Sequence, residues 1–204
     1  MNKKRGSMMS ANNEATSSER VVSPLKLAHF VLRTSKYEEM IAWYQNVLGA
    51  TPAFKNEILT FLSYDDEHHR VALIHIPDLR EQEDGHAGFH HAAFTYATLR
   101  DLMDTYARLR DMGIMPIFPI NHGPTTSIYY ADPDGNQIEL QVDNYARIED
   151  ATAFFYSETF AENPIGVEFD PEVLLEKLNA GENEETLKIR PDIGKRGLEA
   201  VKLR

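Results

Sequence analysis

Two histidines and one glutamate occupy matching points of an imperfect internal repeat, and together they could hold a metal ion. His29 sits in the apolar run Leu27-Ala28-His29-Phe30-Val31-Leu32, and His91 sits in Phe89-His90-His91-Ala92-Ala93-Phe94, 62 residues later. Glu139 sits in a third run, Gln137-Ile138-Glu139-Leu140-Gln141-Val142. One histidine in a strand is ordinarily core or surface decoration. Two imidazoles at repeat-equivalent positions with one carboxylate form a set that leaves part of a metal's shell free for other molecules. His90 is set apart by alternation, because successive strand side chains face opposite ways. Aligning the two runs matches His91 with His29, while His90 matches Ala28 and points to the other side. His68, His69, His75 and His86 have no ligand-like placement and read as structural or solvated.

These residues need elements to hold them, and the elements also repeat. Residues 25–33 read as a strand. Ser35 with Glu38 suggests a capping box, and Met40, Ile41, Tyr44, Val47 and Leu48 then form one helix face that stops at Gly49. Strand-like runs follow at 51–55, 58–64 and 70–76. The polar stretch 77–88 is a linker. The order then recurs: a strand at 89–96, a helix capped by Thr98 and ended by Gly113, and strands at 115–121, 126–131 and 137–143. Asp132-Pro133-Asp134-Gly135 makes a strong turn before the last of them. Tyr44 follows His29 by 15 residues and Tyr106 follows His91 by 15, so spacing repeats as well as pattern. The expected architecture is α+β: two paired βαβββ modules, residues 25–76 and 89–143, forming an open, cleft-enclosing mixed sheet within a domain of residues 22–145.

An irregular and helical C-terminal extension, residues 146–204, is expected to wrap over this domain or over a second subunit. Within it Asp170 caps a short helix with Pro171 at the first position. Phe154, Phe155, Tyr156 and Phe160 read as packing residues more than as lining of a substrate mouth. Residues 1–21 read as a disordered polar tail without the apolar segment of a signal peptide.

Bulk composition narrows the function classes. The 204 residues carry a net charge of −11, which disfavours nucleic acid and anionic membranes as partners. No cysteine is present, so thiolate metal sites, disulfides and cysteine nucleophiles are excluded, and a reducing cytoplasmic location is the expectation. No apolar run reaches the length of a membrane span.

The repeat with its motifs resembles the vicinal-oxygen-chelate superfamily, and more narrowly the short, single-domain type I extradiol dioxygenases. The resemblance covers about residues 25–145. It rests on Leu27-Ala28-His29-Phe30, His90-His91-Ala92-Ala93-Phe94, Asn121-His122-Gly123-Pro124 and, most specifically, the run from Ser127 to Glu139 with its Asp-Pro-Asp-Gly-Asn core. It implies His29, His91 and Glu139 as metal ligands, Fe(II) as the metal with Mn(II) as the alternative, and a catecholic substrate with O2 as co-substrate. It further implies His122 as acid–base and Tyr129 as a hydrogen-bond partner of a catecholic oxygen. Matching the module ends sets Ala72 where Glu139 stands, so the glyoxalase-like fourth ligand is missing and three remain. Glyoxalase-like isomerisation, epimerisation or thiol transfer on the same scaffold stays open, as do a metal-free binding module and a catalytically silent partner protein. A homo-oligomer is expected.

Overall fold

The structure, a computed structural model, describes residues 21–83 and 85–197. Most of the expected N-terminal tail, Asp84 of the linker and the last seven residues lie outside the described residues.

Strands β1 (Phe30–Thr34), β2 (Thr51–Lys55), β3 (Leu59–Ser63) and β4 (Val71–His75) form one sheet in the order β1-β4-β3-β2. Strands β5 (His91–Tyr96), β6 (Phe118–Asn121), β7 (Thr125–Ala131), β8 (Gln137–Asp143) and β9 (Val167–Glu168) form a second, ordered β5-β8-β7-β6-β9. In both, the first strand runs parallel to the last strand of its module and the rest pair antiparallel. The paired βαβββ units and their open mixed-sheet architecture are therefore as expected, with one sheet contributed by each module. The edge strands β1 and β5 each pair on one side only.

Helix α1 (Tyr37–Leu48) buries Met40, Ile41, Tyr44 and Val47, and α2 (Leu99–Asp111) buries Leu102, Met103, Tyr106 and Leu109. These are the helix faces that the 3.6-residue period marks. Both faces join a single core with Leu73 and Leu140 at its centre. Thr98 caps α2 by accepting the Asp101 amide at 3.0 Å. Ser35 does not cap α1. Lys36 occupies that position without a side-chain capping bond, and Thr34 Oγ1 accepts the Lys36 amide instead. Gly49 ends α1 at φ 64°, a left-handed conformation that suits glycine.

The first strand starts five residues later than its apolar run. The carbonyls of Leu27 and Ala28 accept from the Arg70 guanidinium at 2.8 and 3.0 Å, so side-chain bonds replace a ladder there. Cross-links join the halves: Tyr44 donates to Asp132 at 3.0 Å, Lys36 to the Pro133 carbonyl at 2.7 Å, and Arg108 to the Asn46 carbonyl at 2.7 Å. Between the halves lies a cleft of about 570 Å³, bordered by Phe30, Val31, Gly88, His90, Asn136 and Gln137.

The C-terminal extension folds back onto the second module. Helix α3 (Ile148–Phe154) and helix α4 (Glu158–Glu162) precede β9, which pairs with β6. Helix α5 (Pro171–Asn179), capped by Asp170 as expected, buries Leu174, Leu175 and Leu178. Tyr106 and Arg110 of α2 both bond Glu172 of α5, at 2.7 and 2.7 Å. A short helix, α6 (Glu184–Leu187), follows.

Candidate metal centre

Register shows how the sheets place the candidate ligands. Ala93 of β5 faces Glu139 of β8, and Tyr129 of β7 faces Glu139 from the other side. In the first module Val31 faces Ala72, and Phe61 faces Ala72. The two modules are thus in register: His29 matches His91, Ala72 matches Glu139, and Phe61 matches Tyr129. The carboxylate and the phenol are on the second side only.

His91 Nε2 lies 3.1 Å from Glu139 Oε2. Glu139 is 5% exposed, and burial alone would push its pKa up. Hydrogen bonds from His91 and Ser127, with the nearby His122, outweigh burial and hold the carboxyl below the ordinary glutamate range. The carboxylate is therefore charged at neutral pH. The His91 ring stands edge-on to Tyr129, with centroids 5.1 Å apart. Its Nδ1 is 2.7 Å from Nδ1 of His90, an exposed neighbour.

His122 and Tyr129 complete the group. His122 Nε2 lies 3.1 Å from the Tyr129 hydroxyl. Burial, then the charge and hydrogen bond of Glu139, push the Tyr129 phenol far up, so it keeps its proton. Glu139, Tyr129 and His122 thus form a continuous polar path, with His91 at one end.

His29 stands apart from this group. It is exposed and precedes β1 by one residue. Its ring lies 4.2 Å from that of His69, which stacks on Phe61 at 4.3 Å. His69 is 8% exposed, and burial followed by the neighbouring His29 and His68 pushes its pKa down. Of the two readings offered for His69, structural or solvated, the structural one fits, and the contact with His29 is an addition to it. Its signal was available, since His69 lies in the connection between β3 and β4, the neighbouring strands that carry Phe61 and Ala72. His75 is structural, stacked on Tyr37 at 5.0 Å.

Among the described residues, no three His, Asp or Glu side chains converge closely enough to hold a metal ion. The structure therefore brings His91 and Glu139 together and leaves His29 beside His69. The chemistry of the pair suits a divalent first-row cation: one ionised carboxylate and one imidazole. Two of the three expected donors fit as they stand.

Comparison with known proteins adds the family context. The sequence profile of the Glyoxalase/Bleomycin resistance protein/Dioxygenase superfamily matches residues 26–140. Biphenyl-2,3-diol 1,2-dioxygenase 2 of Rhodococcus globerulus is 48% identical over 76% of this chain and 83% of its own length. Biphenyl-2,3-diol 1,2-dioxygenase 3 of the same organism is 47% identical over 81% of this chain and 88% of its own. Among solved structures, the fosfomycin resistance protein FosX from Listeria monocytogenes, complexed with Mn(II) and sulfate ion, superposes with a TM-score of 0.51. It covers 65% of this chain and 99% of that one at 18% identity, a likeness of fold.

Proposed function

This chain belongs to the glyoxalase/bleomycin resistance protein/dioxygenase superfamily, and from that premise we propose that it is an extradiol ring-cleaving dioxygenase acting on a catecholic aromatic of the biphenyl-2,3-diol class. The observation that carries the reading is the buried, ionised Glu139 against His91, with the His122–Tyr129 pair beside it. Relatives at 47% and 48% identity share this chemistry by name. Residues 22–145 form the catalytic domain in this reading, and residues 146–204 its extension.

His91 and Glu139 would hold the metal, with His29 as the third ligand once it leaves His69. Fe(II) is the proposed ion. When bound it supplies a redox centre with free positions for diol and dioxygen. The residues around it handle protons and orientation. Tyr129 keeps a proton to donate, and places it where a substrate oxygen above Glu139 can accept it. His122 Nε2, the nitrogen that faces Tyr129, can take a proton from a diol hydroxyl and return it later. Glu139 keeps its negative charge and so favours a cation beside it. The chain is further proposed to be cytoplasmic and to work as a homo-oligomer. No described helix is long and apolar enough to cross a membrane.

The test is anaerobic loading with ferrous iron, followed by a panel of biphenyl-2,3-diol, catechol and substituted catechols with air. Yellow ring-fission products and oxygen uptake of one O2 per diol are expected. Stoichiometric iron with no turnover on any diol would overturn the reading. His29→Ala should weaken iron binding by roughly 10–100-fold if His29 is a ligand, and unchanged affinity would remove it from the set.

A further inference from the structure

The C-terminal extension does more than cover the second module. We propose that residues 163–166, clamped by Arg190, set the tautomer of His122, so that Asn163, Gly166 and Arg190 are positioning residues for this histidine. His122 Nδ1 lies 2.5 Å from the carbonyl oxygen of Ile165. A carbonyl can only accept, so Nδ1 carries the hydrogen. In the neutral ring this leaves Nε2 as an acceptor 3.1 Å from the Tyr129 hydroxyl, whose single proton is shared between this nitrogen and Glu139. The extension thereby turns the basic nitrogen toward the metal centre.

The carbonyl is held in place from several directions. Asn163 is 3% exposed, and its Oδ1 accepts the amides of Ile165 and Gly166 at 3.1 and 2.8 Å. Its Nδ2 donates to the Gly166 carbonyl at 3.0 Å, so one side chain closes the whole turn. Gly166 has φ +119°, and a Cβ there would press on the Asn121 carbonyl and stand 2.9 Å from His122 Cα. Only glycine lets this turn approach so closely. Arg190 donates through Nη1 to the carbonyls of His122 and Asn163, at 3.2 and 2.8 Å, and through Nη2 to that of Thr159 at 3.1 Å. Its guanidinium lies 5.0 Å from the centre of the Phe154 ring. Phe154 in turn abuts Gly123, the residue after His122. Apolar packing alone would need none of these polar anchors, yet they converge on one histidine and its backbone. Freed from the carbonyl, the ring would interconvert with the Nε2–H tautomer, which presents a donor where a base is required.

The catalytic value of this arrangement rests on the proposed dioxygenase reading, but the tautomer itself does not. The experiment uses the full metal-free chain labelled with ¹⁵N-histidine, and long-range ¹H–¹⁵N correlation at about pH 8.5, above the ordinary imidazole range. His122, assigned by loss of its signals in His122→Gln, should show a protonated Nδ1 and a bare Nε2. Arg190→Ala and Gly166→Ala should each move it toward a mixture of tautomers, while Arg190→Lys should restore part of the native pattern. Glu172→Ala, which loosens the extension elsewhere, should leave the pattern as it is. In the iron-loaded protein the first two variants should lower kcat by roughly 10–100-fold with KM changed much less. A protonated Nε2 in the native chain, or an unchanged tautomer in Arg190→Ala, would overturn the inference. Should Gly166→Ala not fold, the native spectrum and Arg190→Ala still decide it. A native chain with no turnover but the expected tautomer shifts would count against the dioxygenase reading and for this one.

Discussion

The two modules share one design and differ in what it carries. Leu73 and Leu140 are equivalent by register and both wholly buried. One position earlier the halves diverge: Ala72 against Glu139. Directly across stand Phe61 and Tyr129. The equivalent helix tyrosines also diverge in partner. Tyr44 reaches across to Asp132 of the second module, whereas Tyr106 reaches Glu172 of the extension. A repeat thus preserves the apolar positions that each half needs for its core, while the face that looks into the site is free to differ. The second half has taken up the ionised carboxylate, the phenol and the strap that holds His122.

Making the second half like the first should have the largest effect. Glu139→Ala should remove bound iron and lower kcat/KM by roughly 10³-fold or more, about 4 kcal/mol of transition-state stabilisation. Phe61→Tyr, which makes the first half like the second, should change kcat/KM by no more than about threefold. Metal analysis with steady-state kinetics checks both, and equal losses would show that the halves are not specialised.

The core predicts the opposite, symmetry. Leu73→Ala and Leu140→Ala should each destabilise the fold by about 2–5 kcal/mol. Chemical denaturation should give similar losses, and a large inequality would mean that one half carries most of the folding energy.

Hydroxyls sharpen the contrast further. Tyr44→Phe removes a buried bond to Asp132 and should cost about 1–3 kcal/mol. Tyr130 is equally buried, and its hydroxyl has no hydrogen-bond partner among the described residues. Tyr130→Phe should therefore be neutral or slightly stabilising by denaturant melts.

The smallest effect is a pH response of opposite sign at the two tyrosine anchors. Hydrogen bonds from Arg110 and then Tyr106 hold Glu172 below its ordinary value of 4.5. Its contribution is present above that value and fades as pH falls through the lower folded-state pKa. Burial instead holds Asp132 above its ordinary 3.8, despite bonds from Asn136 and Tyr44. Its ionised form is disfavoured in the fold, so stability at that junction declines as pH rises from 3.8 through the raised value. Hydrogen exchange on acidification should show α5 amides losing protection before those of α1. Simultaneous loss would contradict this.

Much of this was legible in the chain. Met40, Ile41, Tyr44 and Val47 mark their helix because burial follows the 3.6-residue period, and Thr98 marks the start of the next because its hydroxyl can reach only a local amide. Alternation separated His91 from His90, and the repeat predicted that Ala72 would stand in for Glu139. Less legible was everything set by side chains that compete for backbone groups. Arg70 takes the carbonyls of Leu27 and Ala28 and so shortens β1. Thr34 Oγ1 takes the Lys36 amide, and the helix starts one residue later than a Ser35 cap would place it. His69 reads as structural or solvated beside its acidic turn, and only the sheet shows that it packs between His29 and Phe61.

Composition, period and spacing by themselves marked the two βαβββ units and the imbalance between Ala72 and Glu139, and put forward His29, His91 and Glu139 as candidate donors. These depend on local rules of burial and alternation that act within a few residues. Only the tertiary structure decided that His91 meets Glu139 while His29 rests on His69, and that a turn 43 residues downstream aims His122. Such contacts join segments far apart in the chain, and their distances depend on how whole sheets and an extension pack, which no local periodicity encodes.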